Sequence, residues 1–386
     1  MCTLYARNVG HGACMAIEAP CIGSNIQIDC GSAESSPWAA EEYLRLGERA
    51  KNADAFFLSH FHYDHYNGLI WLAEQTVKAR VPILTAYYPR IPNVSMHPEL
   101  RIEIIRCMVA FACYEASQPS RLLLGDNRRL VQRHFADTIR QVSGCPRGVL
   151  GVSQGDTIRG ANGAWSVLWP PREVRLDSPY GQVMNNGVDA FSAAAEEDKR
   201  LREAFNLTLE AGVAEEYNAT IENSDRYVTD DHIFTYDQRR DNDEGDANLA
   251  SESDRETEEE IEGRELDEEQ QTPLVSTANQ ALRRVADVFS LSFHSEPHVL
   301  FLGDLKSREI RQVVSLCSSR GNLHYHVLIS SHHGTRWNPS LQIVSVDGAV
   351  VSSVGGKLRD LVRKEYNGFG VPHYLTCKDG HLALHA

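Results

Sequence analysis

The chain has 386 residues, 42% of them hydrophobic, and a formal net charge of −15. That length admits two or three average domains or a single sandwich carrying an insertion, and the apolar share is enough for a sizeable core. No run of 18 or more apolar residues occurs, so no membrane-spanning helix is expected, and the opening residues 1–7 lack a signal-peptide pattern, which points to a cytoplasmic protein.

Residues 4–19 alternate as strand, interrupted by Gly10 and Gly12, whose missing Cβ lets the backbone turn tightly. His11 between them either faces a cleft or is a turn residue. Residues 26–29 read as the paired strand. Asp29 at its end either accepts from the far nitrogen of a ligand histidine or is a turn carboxylate. Residues 39–49 form an amphipathic helix, and the apolar run 55–58 reads as a buried strand.

That strand delivers His60-Phe61-His62-Tyr63-Asp64-His65. In extended chain, residues two apart point to the same side, so His60 and His62 face one place. Asp64 and His65 follow at the expected start of a helix running to residue 73. Imidazoles and a carboxylate presented together suit zinc, and also manganese or iron.

Further on, residues 81–88 read as strand and 99–142 as helix, with apolar residues spaced by three and four. Strand character returns at 148–159 and 166–169. From 181 to 278 the composition becomes polar and charged. Residues 241–270 hold fifteen acidic and two basic residues, a net −13 that leaves −2 for the rest of the chain. Such a block resists collapse and is expected to be a mobile or weakly helical insertion. Residues 285–293 and 298–302 then read as a strand pair ending at Asp304. Residues 306–316 read as helix and 325–329 as a strand ending near His332 and His333, with His324 and His326 taken as structural. The nine cysteines are odd in number, scattered and without a CxxC, which reads as buried reduced thiols.

The His60-x-His62-x-Asp64-His65 pattern resembles the signature of the metallo-β-lactamase superfamily. Asn8-Val9-Gly10-His11-Gly12-Ala13, Ile26-Gln27-Ile28-Asp29-Cys30-Gly31, Phe301-Leu302-Gly303-Asp304 and Ile329-Ser330-Ser331-His332-His333-Gly334-Thr335 resemble motifs of the branch found in competence DNA-uptake channel proteins. Those channels are membrane-embedded; the resemblance here is to their soluble module. It implies an α/β protein with an αββα sandwich built from residues 1–180 and 279–386. The helical elaboration at 99–142 belongs to the first half, and the acidic insertion fills 181–278.

The resemblance also implies one or two divalent metal ions, zinc or manganese, held by His60, His62, Asp64, His65, Asp304 and His332. Asp304 would bridge two ions, and Asp64 and His333 would act on the substrate. The remaining ligand for the ion on His60 and His62 has no clear motif. The expected activity is hydrolysis by metal-activated water, of a phosphodiester such as nucleic acid or a nucleotide. The alternatives are an ester, lactone or thioester hydrolase, and a metal-binding subunit that docks a partner. A basic protein is the expected partner for the acidic insertion.

Overall fold

The computed structural model describes residues 2–49, 53–75, 82–116, 135–210, 229–230, 272–321 and 323–385. The acidic block 241–270 lies outside them, so the insertion, its mobility and its partner stay expectations from sequence. Strands come in chain order as β1 (Thr3–Ala6), β2 (Met15–Glu18), β3 (Asn25–Ile28), β4 (Ala53–Phe57), β5 (Thr85–Pro89), β6 (Asn93–Val94), β7 (Val149–Val152), β8 (Asp156–Arg159) and β9 (Ala164–Trp169). They continue as β10 (Glu173–Val174), β11 (Thr229–Asp230), β12 (Ser292–Ser295), β13 (Val299–Phe301), β14 (His324–Ile329), β15 (Ser345–Ser352), β16 (His373–Leu375) and β17 (Leu382–His385).

Two sheets carry the architecture. The first is ordered β17-β1-β2-β3-β4-β5-β7 and the second β11-β8-β9-β12-β13-β14-β15-β16. Each changes from antiparallel to parallel pairing midway, at β3–β4 in the first and at β13–β14 in the second. Their inner faces meet in one apolar layer. Leu4, Met15, Ile17, Ile26, Ile28 and Phe57 of the first sheet pack against Trp165, Val167, Phe293, Phe301, Ile329 and Val351 of the second. Alternation along the strands places these residues on one face.

Helices α1 (Ser36–Arg49), α2 (Asn67–Glu74), α3 (Pro98–Ala116) and α4 (Phe135–Ser143) follow strands of the first half. The ring of Tyr43 on α1 lies 6.0 Å from that of Phe56 on β4. Helices α5 (Pro179–Glu197), α6 (Lys199–Glu210), α7 (Pro273–Val288), α8 (Ser307–Ser319) and α9 (Thr376–Asp379) belong to the second. The result is the αββα sandwich that the sequence motifs imply.

Three elements differ from the sequence reading. Residues 179–210 are two packed helices, so a mobile insertion does not begin at 181. Ser178 caps α5 by accepting from the Gly181 amide at 3.1 Å, with Pro179 in the first turn. Tyr180, Met184, Phe191 and Leu201 are buried; their spacing was obscured by the polar residues between them. Residues 285–288 end α7 instead of starting a strand, because Leu282, Val285 and Ala286 share a buried helical face. The helix after the histidine motif begins later than expected: Tyr63–His65 is a 3-10 turn and α2 starts at Asn67.

Phe293 centres the inter-sheet layer, with ring centroids 4.8 Å from Phe57, 4.9 Å from Phe301 and 5.7 Å from Trp165. Truncating a buried phenylalanine typically costs about 3–5 kcal/mol. Phe293→Ala should therefore lower the thermal midpoint by several degrees, measured by circular dichroism. A midpoint equal to that of the unsubstituted chain would show that the two sheets do not depend on this contact.

Candidate metal centre

Five segments converge at the carboxyl ends of the strands. The turn after β1 brings His11, the end of β3 brings Asp29, and the turn after β4 brings His60, His62, Asp64 and His65. The end of β13 brings Asp304 and the end of β14 brings His332 and His333. Close approach of backbone is needed to assemble them. A Cβ on Gly31 would lie 2.0 Å from the Asp64 carbonyl oxygen, and one on Gly303, which has φ +57°, would lie 2.4 Å from the Leu291 carbonyl oxygen.

At this end of the strands, three groups among the described residues have one donor atom each within 4.8 Å of one another: His11, Asp64 and His333; His60, His65 and Asp304; and His60, His62 and Asp287. His60, His332 and His333 each direct Nε2 at Asp304 Oδ2, at 3.7, 3.8 and 3.9 Å. His11 Nε2 lies 3.7 Å from Asp64 Oδ2 and His65 Nε2 lies 4.0 Å from it. His62 Nε2 lies 3.6 Å from Asp287 Oδ1.

All nine sequence-nominated residues are thus brought to one place. Asp287 was missed, because its segment read as strand and it carries no motif. It ends α7 and pairs with Arg336 at 2.9 Å and Lys306 at 3.6 Å. A carboxylate set among apolar residues in the last turn of an amphipathic helix, ahead of the strand that ends at Gly303-Asp304, was the available signal.

The imidazole orientations test whether a divalent ion fits. His333 Nδ1 donates to the Ser353 carbonyl. Thr335 Oγ1 donates to the His332 carbonyl at 2.8 Å and so accepts from His332 Nδ1 at 2.6 Å. Ser59 Oγ donates to Asp29 Oδ2 at 2.6 Å and accepts from His60 Nδ1 at 3.0 Å. His65 Nδ1 donates to Asp29 Oδ2 at 2.8 Å. Four rings therefore anchor Nδ1 behind them; His65, His332 and His333 turn Nε2 toward carboxylates, and His60 Nε2 meets His62 Nδ1 at 2.8 Å with Asp304 Oδ2 beyond it at 3.7 Å, the arrangement that fixes ligand histidines. The donor set fits one or two divalent ions.

Charge in the cluster is uneven. Burial holds His60 well below its ordinary pKa, with His65 adding to the effect. Burial and the neighbouring His333 push His11 down to about 3. Burial opposes ionisation of Asp64, but His65, His11 and His62 outweigh it and keep the carboxyl below its usual range. Burial likewise opposes Asp304, and His333, His332 and His65 reverse it. His65 is the exception: burial lowers it, yet the Asp29 charge and hydrogen bond, then Asp64 and Asp304, raise it to about 10. The centre calls for positive charge between its carboxylates.

Residues 7–139 match the family model of the metallo-beta-lactamase superfamily. That span holds His11, Asp29 and the motif from His60 to His65; Asp287, Asp304, His332 and His333 lie beyond it. The chain has no match among curated proteins. Among solved structures, it is similar to MEM-A1, a subclass B3 metallo-beta-lactamase isolated from a soil metagenome library. The identity is 20% and the TM-score 0.21, over 43% of this chain and 48%, about half, of that one.

The Asp29–His65 pair sets a pH signature for the chelator-treated protein. A group raised in the folded state stabilises it fully below its unfolded pKa, about 6.5, and the contribution is lost as pH rises through the folded value, here about 10. The difference in thermal midpoint between the unsubstituted chain and Asp29→Asn should be largest below pH 6.5 and shrink toward pH 10. A difference independent of pH would remove the ion pair from the account.

Proposed function

We propose that the chain is a metal-dependent hydrolase acting on phosphodiesters in a nucleotide or nucleic acid. The observation that carries the reading is the convergence of anchored imidazoles on buried carboxylates with cationic side chains beside them. Arg283 adjoins His62, whose Nε2 lies 3.2 Å from the Arg283 carbonyl oxygen, and Lys306 stands 3.6 Å from Asp287 with 37% of its side chain exposed. Cations at the rim favour an anionic substrate over a neutral ester or lactone.

In this reading His60, His62 and Asp287 would hold one ion and Asp64, His65 and His333 a second, with Asp304 as a further carboxylate ligand. Zinc suits the imidazole-rich set, and manganese is the alternative. When bound, such ions lower the pKa of a water from its bulk value towards ~7 and polarise a phosphoryl oxygen.

The chain's own residues do the rest. Asp64 and His11 each have 15% of the side chain exposed, so they face the opening. Asp64, kept ionised by its imidazole neighbours, accepts a hydrogen bond from the attacking water and orients it. Arg283 and Lys306 draw in and align the phosphate. Asp29, Ser59, Thr335 and the Ser353 carbonyl keep the rings from turning. The roles expected of the adjacent histidines are exchanged in this proposal. His333 shares a donor group with His11 and Asp64, and His332, close to Asp304, is assigned to protonate the leaving oxygen.

Protein reconstituted with zinc or manganese should hold one or two ions per chain and cleave a generic aryl phosphodiester. His60→Ala and His333→Ala should lose metal and activity together. His332→Ala should keep metal and slow mainly substrates with poor leaving groups. Faster turnover of aryl esters or lactones than of phosphodiesters by the same preparation would move the substrate to that class. Failure to bind metal after reconstitution would remove the hydrolase reading.

A further inference from the structure

Three side chains of metal-ligating type meet at the end of the sandwich away from the His/Asp cluster. Strand β3 runs toward Asp29, so the turn that precedes it, carrying Cys21, lies at the opposite end. Strand β13 runs toward Asp304, so the turn that precedes it, carrying His298, lies there too. Cys2 leads into β1, whose first residue pairs with Glu18 at the same end of β2. One donor atom of each of Cys2, Cys21 and His298 lies within 4.8 Å of the others. Cys2 is fully buried, and Cys21 and His298 are partly so. A cavity of about 370 Å³ adjoins them, lined by Cys21, His294, Glu296, His298 and Arg320 among others.

The two sulfurs are joined as a disulfide, with Cα atoms 6.6 Å apart. This corrects the reading of all nine cysteines as reduced. The other seven, Cys14, Cys30, Cys107, Cys113, Cys145, Cys317 and Cys377, are free thiols. The bond ties the start of β1 to the β2–β3 turn, and both belong to the first sheet. It does not involve His298, which comes from the second.

We propose that Cys2, Cys21 and His298 form a second metal site, for zinc, which is filled when the disulfide is reduced and clamps the two sheets together. Two thiolates and an imidazole are the ligand types that select zinc over oxygen-seeking cations. Three protein ligands leave the fourth tetrahedral position open to the cavity, where water completes the shell. Two sulfurs each about 2.3 Å from zinc stand roughly 3.8 Å apart, a separation that side-chain rotation supplies once the bond opens.

The redox step balances with a dithiol reductant. Its two thiols reduce the S–S bond to two cysteine thiols and become a disulfide themselves. Zinc binding then releases two protons to solvent. Peroxide reverses the first step: the two thiols lose two electrons and two protons, the S–S bond re-forms, and peroxide is reduced to water. A reducing compartment would hold the pair in the metal-binding form.

Cobalt(II) distinguishes this site from the first, which contains no sulfur ligand. Full-length protein reduced with a phosphine and titrated with cobalt should develop thiolate-to-cobalt charge-transfer absorption in the near ultraviolet. It should bind one more equivalent of cobalt than the peroxide-treated protein. His298→Gln keeps both cysteines and should weaken binding at this site by about tenfold or more. Cys2→Ser/Cys21→Ser should abolish the absorption and leave hydrolysis unchanged. The proposal is overturned if the reduced chain shows no such absorption, if the double variant retains it, or if His298→Gln binds cobalt as tightly as the unsubstituted chain.

Discussion

One buried carboxylate holds the His/Asp cluster in register. Asp29 accepts from the Ser59 amide at 2.7 Å, the Ser59 hydroxyl at 2.6 Å and His65 Nδ1 at 2.8 Å. A buried carboxylate left without such partners would cost several kcal/mol, so these contacts are obligatory for the fold as well as for the centre. The network then crosses between sheets. The Ser59 carbonyl accepts from the Leu291 amide at 2.7 Å and from Ser290 Oγ at 3.3 Å. Ser290 Oγ in turn accepts from the Asp304 amide at 2.8 Å. Asp29 of the first sheet and Asp304 of the second are thereby linked through two serines. A shift in either sheet would disturb both carboxylates.

The two sheets deliver their ligands from equivalent positions. Strand β3 is antiparallel to β2 and parallel to β4, and β13 is antiparallel to β12 and parallel to β14. Asp29 and Asp304 follow β3 and β13. The histidines at 60–65 and at 332–333 follow β4 and β14. Facing the sheets against each other brings the carboxyl ends of both parallel portions together, where strand ends leave backbone unpaired and side chains directed outward. Each sheet alone holds an incomplete donor set. The inter-sheet layer around Phe293 is therefore part of what assembles the centre, although it lies remote from the chemistry.

How much of this could be read from the sequence follows from how local each feature is. The turn from His60 to His65 is one stretch of chain after one apolar strand, so spacing alone exposed it. Asp304, His332 and His333 each follow a short apolar run that reads as strand, but their place in the centre came from the resemblance of the Gly303-Asp304 and Ser331-His332-His333-Gly334 stretches to family motifs. Asp287 was hidden because an apolar run at 285–289 looks alike as strand or helix end. Only the packing of Val285 and Leu282 against α5 decides between them. Cys2, Cys21 and His298 are far apart in sequence and share no spacing, so their meeting depends on sheet order alone. The helices at 179–210 were masked by composition, since a minority of apolar residues at the right intervals is enough to bury one face.

Backbone strain identifies the part of the structure that stability alone does not explain. Asp29, His332 and His333 have φ of 55°, 45° and 58°, a region unfavourable for residues with a Cβ and costing on the order of 1–3 kcal/mol each. Glycine would relieve that strain at all three positions, but it would also delete the side chain that points into the cluster. Neighbouring Gly303 and Gly334, with φ of 57° and 90°, occupy such conformations where no side chain is needed. Met96 and Cys145 also have positive φ, away from the cluster; Asp29, His332 and His333 fall at the ends of β3 and β14, one strand of each sheet, where a sharp reversal turns the side chain inward. A core packed between two sheets and cross-linked through Ser59 and Ser290 can hold these conformations against relaxation. Three of the five described non-glycine residues with positive φ are ones whose side chains the proposed chemistry uses, and at those three positions a fold serving only its own stability would have put glycine.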